Sequence, residues 1–90
     1  MSISFADRPR RQKDVSATRS GGTRIVTRPT TRVEVALNPT AFALWQLCDG
    51  HTTVAEMIQA VCDLFEVTPD LAERDVMQGI ALMREAGILR

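Results

Sequence analysis

The chain predicts an α+β domain in which a three-stranded antiparallel sheet precedes three helices. Three observations carry that expectation. Residues 23–37 alternate β-branched and polar side chains, broken only at Pro29-Thr30-Thr31. Asn38-Pro39, Thr53 with Glu56, and Thr68-Pro69 then read as three successive helix starts. Asp49-Gly50 and Gly87 supply stops after the first and third.

The strands follow from turn chemistry. Val15 to Arg19 is a weak polar strand, and Ser20-Gly21-Gly22 is a turn that accepts positive φ. Thr23 to Arg28 alternates, and so does Arg32 to Leu37, with Val33, Val35 and Leu37 on one face. The expected sheet is a meander, polar on one side.

The helices differ in character. The first, about Pro39 to Cys48, is apolar nearly all round, so it should be enclosed on most sides and central. In the second, Thr53 and Glu56 form a capping box, and Val54, Met57, Ile58, Val61, Cys62 and Phe65 make one stripe. The third runs from Pro69 to about Ala86. Three strands and then three helices is the element order of a winged helix-turn-helix.

Ninety residues, 44% of them hydrophobic, make one domain at most. The formal net charge is zero but unevenly spread. Residues 1–32 hold eight Lys/Arg against Asp7 and Asp14, whereas residues 33–90 hold Arg74, Arg84 and Arg90 against nine acids. Residues 1–14 are Arg-rich without periodicity and read as a flexible basic tail ahead of a domain at 15–90. Cys48 and Cys62 sit in apolar patterns and read as buried free thiols. A zinc site needs four ligands, and His51 is the only histidine, so no metal or other cofactor is implied. The chain shows neither an apolar run long enough to span a bilayer nor a secretory signal, which points to the cytoplasm and away from a membrane partner.

Two features point to binding. On a helical wheel at about 100° per residue, the apolar residues of the third helix cover roughly 220°, well beyond the stripe one core needs. Ala72, Val76, Ile80 and Met83 form its centre, Gly79 and Leu82 extend one flank, and Met77 extends the other. Gly79 weakens a helix interior by about 1 kcal/mol relative to Ala, so it either packs tightly against the first helix or admits another backbone. The second feature is the strand Arg32 to Leu37. At a sheet edge, its free N–H and C=O groups would template an added strand, with Arg32 and Glu34 guarding against self-association.

Other chemistries fare worse. Asp49 and His51 belong to a capping turn, no nucleophile is spaced to use them, and there is no phosphate loop, so no enzyme activity is expected. A winged-helix nucleic-acid-binding protein is the alternative reading. It is disfavoured because the third helix carries Arg74 and Arg84 against Asp70, Glu73, Asp75 and Glu85, where a recognition helix should be basic.

Leu37-Asn38-Pro39-Thr40, Leu47-Cys48-Asp49-Gly50, Thr53-Val54-Ala55-Glu56, Asp75-Val76 and Ala86-Gly87-Ile88-Leu89 together resemble the PqqD-like family over about residues 15–90. These proteins are recognition elements and peptide chaperones for leaders of ribosomally made, post-translationally modified peptides (RiPPs). The resemblance implies a winged helix-turn-helix whose leader adds as a strand beside the third β-strand, against the third helix. It places the backbone wall at Arg32, Val33, Glu34, Val35 and Ala36. The side-chain wall falls at Asp75, Gln78, Gly79, Leu82 and Met83. Relatives often place a large apolar residue where Gly79 stands. The implied partners are a precursor peptide and a peptide-modifying enzyme, such as a radical SAM enzyme or a leader protease.

Overall fold

The computed structural model describes residues 3–90, and the chain runs as a sheet followed by helices. Strands β1 (Ser16–Ser20), β2 (Thr23–Arg28) and β3 (Val33–Leu37) form an antiparallel meander in the order β1-β2-β3. The β1–β2 turn places Gly21 at φ 62°, as its glycines require. Val26 stands opposite Val35, and Arg24 opposite Leu37. Val26 and Leu37 are buried and Val33 and Val35 half-buried, while β1 is exposed along its whole length. The α+β class and the three-strand, three-helix order are therefore as the alternation and caps predict.

Helix α1 (Pro39–Leu47) touches both other helices and both β2 and β3, the central position that its lack of a polar face implies. Asn38 Oδ1 accepts from the Ala41 N–H at 2.8 Å. Leu44 and Trp45 carry it into the core. A stack of side chains ties it to its surroundings: Arg24 lies over Phe42, Phe42 stacks on Trp45 at 5.8 Å, and Arg11 lies over Trp45.

Helix α2 (Val54–Phe65) begins at the expected capping box, with Thr53 N–H donating to Glu56 and Glu56 N–H donating to Thr53. Helix α3 (Pro69–Glu85) begins at Thr68 and buries Ala72, Val76, Ile80 and Met83. Gly87 at φ 82° ends it. The Gly87 and Ile88 N–H groups return to the Arg84 and Met83 carbonyls, satisfying two of the acceptors that a helix end leaves open.

The amino-terminal segment departs from expectation. Residues 3–14 do not stand free as a flexible tail; they form a strap across the ends of the helices, and residues 1 and 2 of the expected tail lie outside the described residues. Arg10 pairs with Asp49 and Arg11 with Leu89 in short antiparallel bridges, and Pro9 is buried. The carbonyls of Asp7 and Phe5 accept from the Val54 and Ala55 N–H groups, the first-turn donors that the Thr53 cap leaves open. Arg11 Nη1 donates to the Gln46 carbonyl at 2.6 Å, at the negative end of α1. Arg28 clamps the far end of the strap, donating to Asp14 Oδ1 at 3.0 Å and to the Gly87 carbonyl at 3.1 Å. Composition suggested disorder because the arginines have no partners along the sequence. Arg8 and Arg11 find their partners in the His51 and Gln46 carbonyls, brought close only by folding.

Both cysteines are free, and burial pushes the Cys48 thiol up to about 12.

Candidate functional site

Strand β3 is a sheet edge. Its only strand neighbour is β2, and among the described residues no other element gives it a backbone hydrogen bond. In an antiparallel ladder every second residue turns its N–H and C=O away from its partner, so one row of β3 groups faces outward. Glu34 and Ala36 are exposed on the face opposite the core, while Val33 and Val35 pack inward.

Where β3 ends, the chain enters a cleft of about 260 Å³ between α1 and α3. Asn38, Thr40, Ala41 and Leu44 line the α1 side. Asp75, Val76, Gln78, Gly79 and Leu82 line the α3 side, and Val61 of α2 contributes to the lining. Leu82 is 65% exposed and lines this apolar cleft, so its side chain is open to a guest. Gly79 takes the first of its two expected roles. A Cβ there would stand 2.6 Å from Leu44 Cδ2, so the glycine lets α3 approach α1 closely.

The structure brings Asp75, Gln78, Gly79 and Leu82 together in this cleft. Met83 does not join them: it is only 3% exposed and belongs to the core. One residue adds about 100° around a helix, which carries Met83 from the Leu82 flank to the buried stripe. Arg32 is also displaced. It follows the short 3₁₀ turn Pro29–Thr31 in the left-handed region at φ 56°, outside β3. The β3 residues themselves do not line the cleft, which opens beyond the strand's carboxyl end.

Asn38, Thr40, Ala41 and Leu44 were not among the candidates from sequence. Asn38 and Thr40 read as capping grammar, and Ala41 and Leu44 as enclosed core. The signal was present in Gly79, whose missing side chain implies that something on α1 lies opposite.

The Asp49-His51 turn is structural, as expected. Asp49 Oδ1 accepts from the His51 and Thr52 N–H groups, each at 2.8 Å. These bonds hold the Asp49 carboxyl below its usual range. Among the described residues no group of three or more His, Cys, Asp or Glu is placed to hold a metal ion, and no helix is long and apolar enough to cross a membrane.

Comparison with known proteins places this geometry. Two solved structures share the fold. One is described as TbiB1 in complex with the TbiA(beta) leader peptide, with a TM-score of 0.77 at 16% identity, covering 90% of this chain and 94% of that one. The other is a lasso peptide synthetase B1 complexed with the leader peptide, with a TM-score of 0.73 at 22% identity, covering 92% and 98%. No curated protein matches the sequence. The family model described as coenzyme PQQ synthesis protein D (PqqD) matches residues 25–89, from within β2 through the end of α3 and the residues that stop it. That span takes in β3, the cleft and all three helices, and the chain belongs to the PqqD family.

Proposed function

We propose that this chain is a non-catalytic peptide chaperone of a RiPP pathway. It binds the leader of a ribosomally made precursor as an added strand on β3 and delivers the attached segment to a modifying enzyme, such as a radical SAM enzyme or a leader protease. The observation that carries the reading is an unpaired β3 edge whose carboxyl end is followed at Asn38 by an apolar cleft, with Leu82 exposed in its lining. Main-chain bonds from the outward-facing alternate residues of the wall Val33, Glu34, Val35 and Ala36 would hold an extended leader with little demand on its sequence. Asp75, Gln78, Gly79 and Leu82, with Ala41 and Leu44 opposite, would take an apolar leader side chain. Two solved proteins of the same fold are described as complexes with leader peptides, which supports this reading. Tethering then raises the substrate concentration at the enzyme to roughly millimolar without chemistry by this chain.

A nucleic-acid role finds little support. Helix α3 remains net acidic, and Arg8, Arg11 and Arg28 are committed to carbonyls or to Asp14. The test is calorimetric titration of the precursor leader that co-purifies with the tagged chain. Leu82→Glu is expected to weaken binding at least about tenfold, since burying an aliphatic side chain contributes about 1.5–3 kcal/mol. Equal affinities would remove the cleft from the proposal.

A further inference from the structure

Leu64, on α2, is 67% exposed and takes no part in the cleft. It sits in a second, separate groove of about 420 Å³ lined by Ala43, Gln46 and Leu47 of α1 and by Ala60, Asp63 and Leu64 of α2. Each helix contributes an Ala and a Leu four residues apart, so the groove offers two short apolar ridges side by side. Its α1 residues are turned about 100° around that helix from those of the cleft, which leaves both surfaces accessible together.

We infer that this groove docks a protein partner through an apolar helix face flanked by Lys or Arg. We assign that role to the modifying enzyme, an assignment that rests on the leader-binding reading above. The charge pattern selects the partner. Asp63 is the one charged residue of the lining, and residues 39–65, which contain both helices of the groove, hold Asp49, Glu56 and Asp63 and no Lys or Arg. Asp63 lies at the rim, and Glu66 follows just beyond the end of α2. The nearby cation on the Gln46 side, Arg11, is occupied with the Gln46 and Trp45 carbonyls. A second copy meeting this groove about a two-fold axis would bring a second acidic lining, with its own Asp63, into the same interface and no basic lining residue to pair with either, which disfavours self-pairing. A basic amphipathic helix meets no such repulsion. The chain then works as an adapter, with the leader on one face of α1 and the enzyme on another.

The test uses the full chain and two short helical peptides with leucines at i, i+3, i+4 and i+7, one flanked by Lys and the other by Glu. The Lys-flanked peptide should shift the amide resonances of Ala43, Leu47, Ala60 and Leu64. Leu64→Glu should weaken it at least about tenfold, while Leu82→Glu leaves it unchanged. Leader affinity should be the same for Leu64→Glu and the unaltered chain. Equal binding of the Glu-flanked peptide, shifts confined to other faces, or no shift at millimolar peptide would overturn the inference. A sedimenting dimer dissolved by Leu64→Glu would overturn it too, giving the groove to a second copy. Failure of the leader to bind the unaltered chain would instead strike the earlier reading, so the two outcomes are separable.

Discussion

Gly79 faces Leu44 so closely that a Cβ at position 79 would come within 2.6 Å of Leu44 Cδ2. The floor of the cleft is this contact between a missing side chain on α3 and a buried one on α1. Gly79→Ala gains about 1 kcal/mol of helix propensity and must push the end of the Leu44 side chain aside. The two effects should nearly cancel in a urea denaturation midpoint, while the displaced leucine narrows the cleft and weakens leader binding several-fold. Gly79→Leu should destabilise by about 1–3 kcal/mol, the cost of overpacking. A leucine tolerated without loss of stability would show that α3 is free to move away from α1.

Strand addition makes a residue-by-residue prediction for β3. When the leader binds, alternate amides within Val33–Leu37 should become protected from hydrogen exchange, because only every second N–H faces outward. The equally exposed edge at β1 should be unaffected, since no apolar cleft continues from it. Protection along β1 instead of β3 would reverse the assignment of the edge.

The strap contributes to stability through acceptors that the helices lack. A chain beginning at Lys13 loses the carbonyls that cap Val54 and Ala55 and the buried Pro9, so its denaturation midpoint should fall. The Val54 and Ala55 amides should then exchange faster. Arg11→Ala should cost about 1–2 kcal/mol, combining the lost bonds at the α1 carboxyl end with the lost cation–ring contact to Trp45. An unchanged midpoint for the shortened chain would mean the strap is a passenger.

Three carboxyls, half-buried Asp14 and exposed Asp49 and Glu56, contribute to the acid limb of the stability curve. Hydrogen bonds from Thr30 lower Asp14 from 3.8, those from the His51 and Thr52 N–H groups lower Asp49 from 3.8, and those from Thr53 lower Glu56 from 4.5. Each folded value lies below its unfolded one. The stability these groups contribute is therefore complete above the unfolded pKa and lost as pH falls through the folded pKa. The melting temperature should be flat from neutrality to about pH 5 and drop below about pH 4. Asp14→Asn with Asp49→Asn should flatten that drop. A melting temperature constant between pH 5 and 3 would refute this account.

Capping and periodicity are written locally, which is why the elements could be read in order. Asn38, the Thr53–Glu56 pair and Thr68 cap the helices they announce, and the alternation of residues 33–37 gave the inward face of β3. The cleft was half legible. The third helix showed its surplus apolar arc, but a wheel locates Leu82 on a flank without saying whether another element covers it. Met83 was misplaced for the same reason, since one step along the helix separates cleft lining from core. Thr40 and Ala41 carried no mark of their own.

Sequence alone determined the fold class, the order of strands and helices, and the central place of α1, because each depends on a residue and its near neighbours along the chain. Tertiary structure decided the course of the strap, the α1 wall opposite Gly79 and the exposure of Leu64 and Leu82. Those depend on groups far apart in sequence, whose meeting is set by how the helices pack rather than by any residue's own preference.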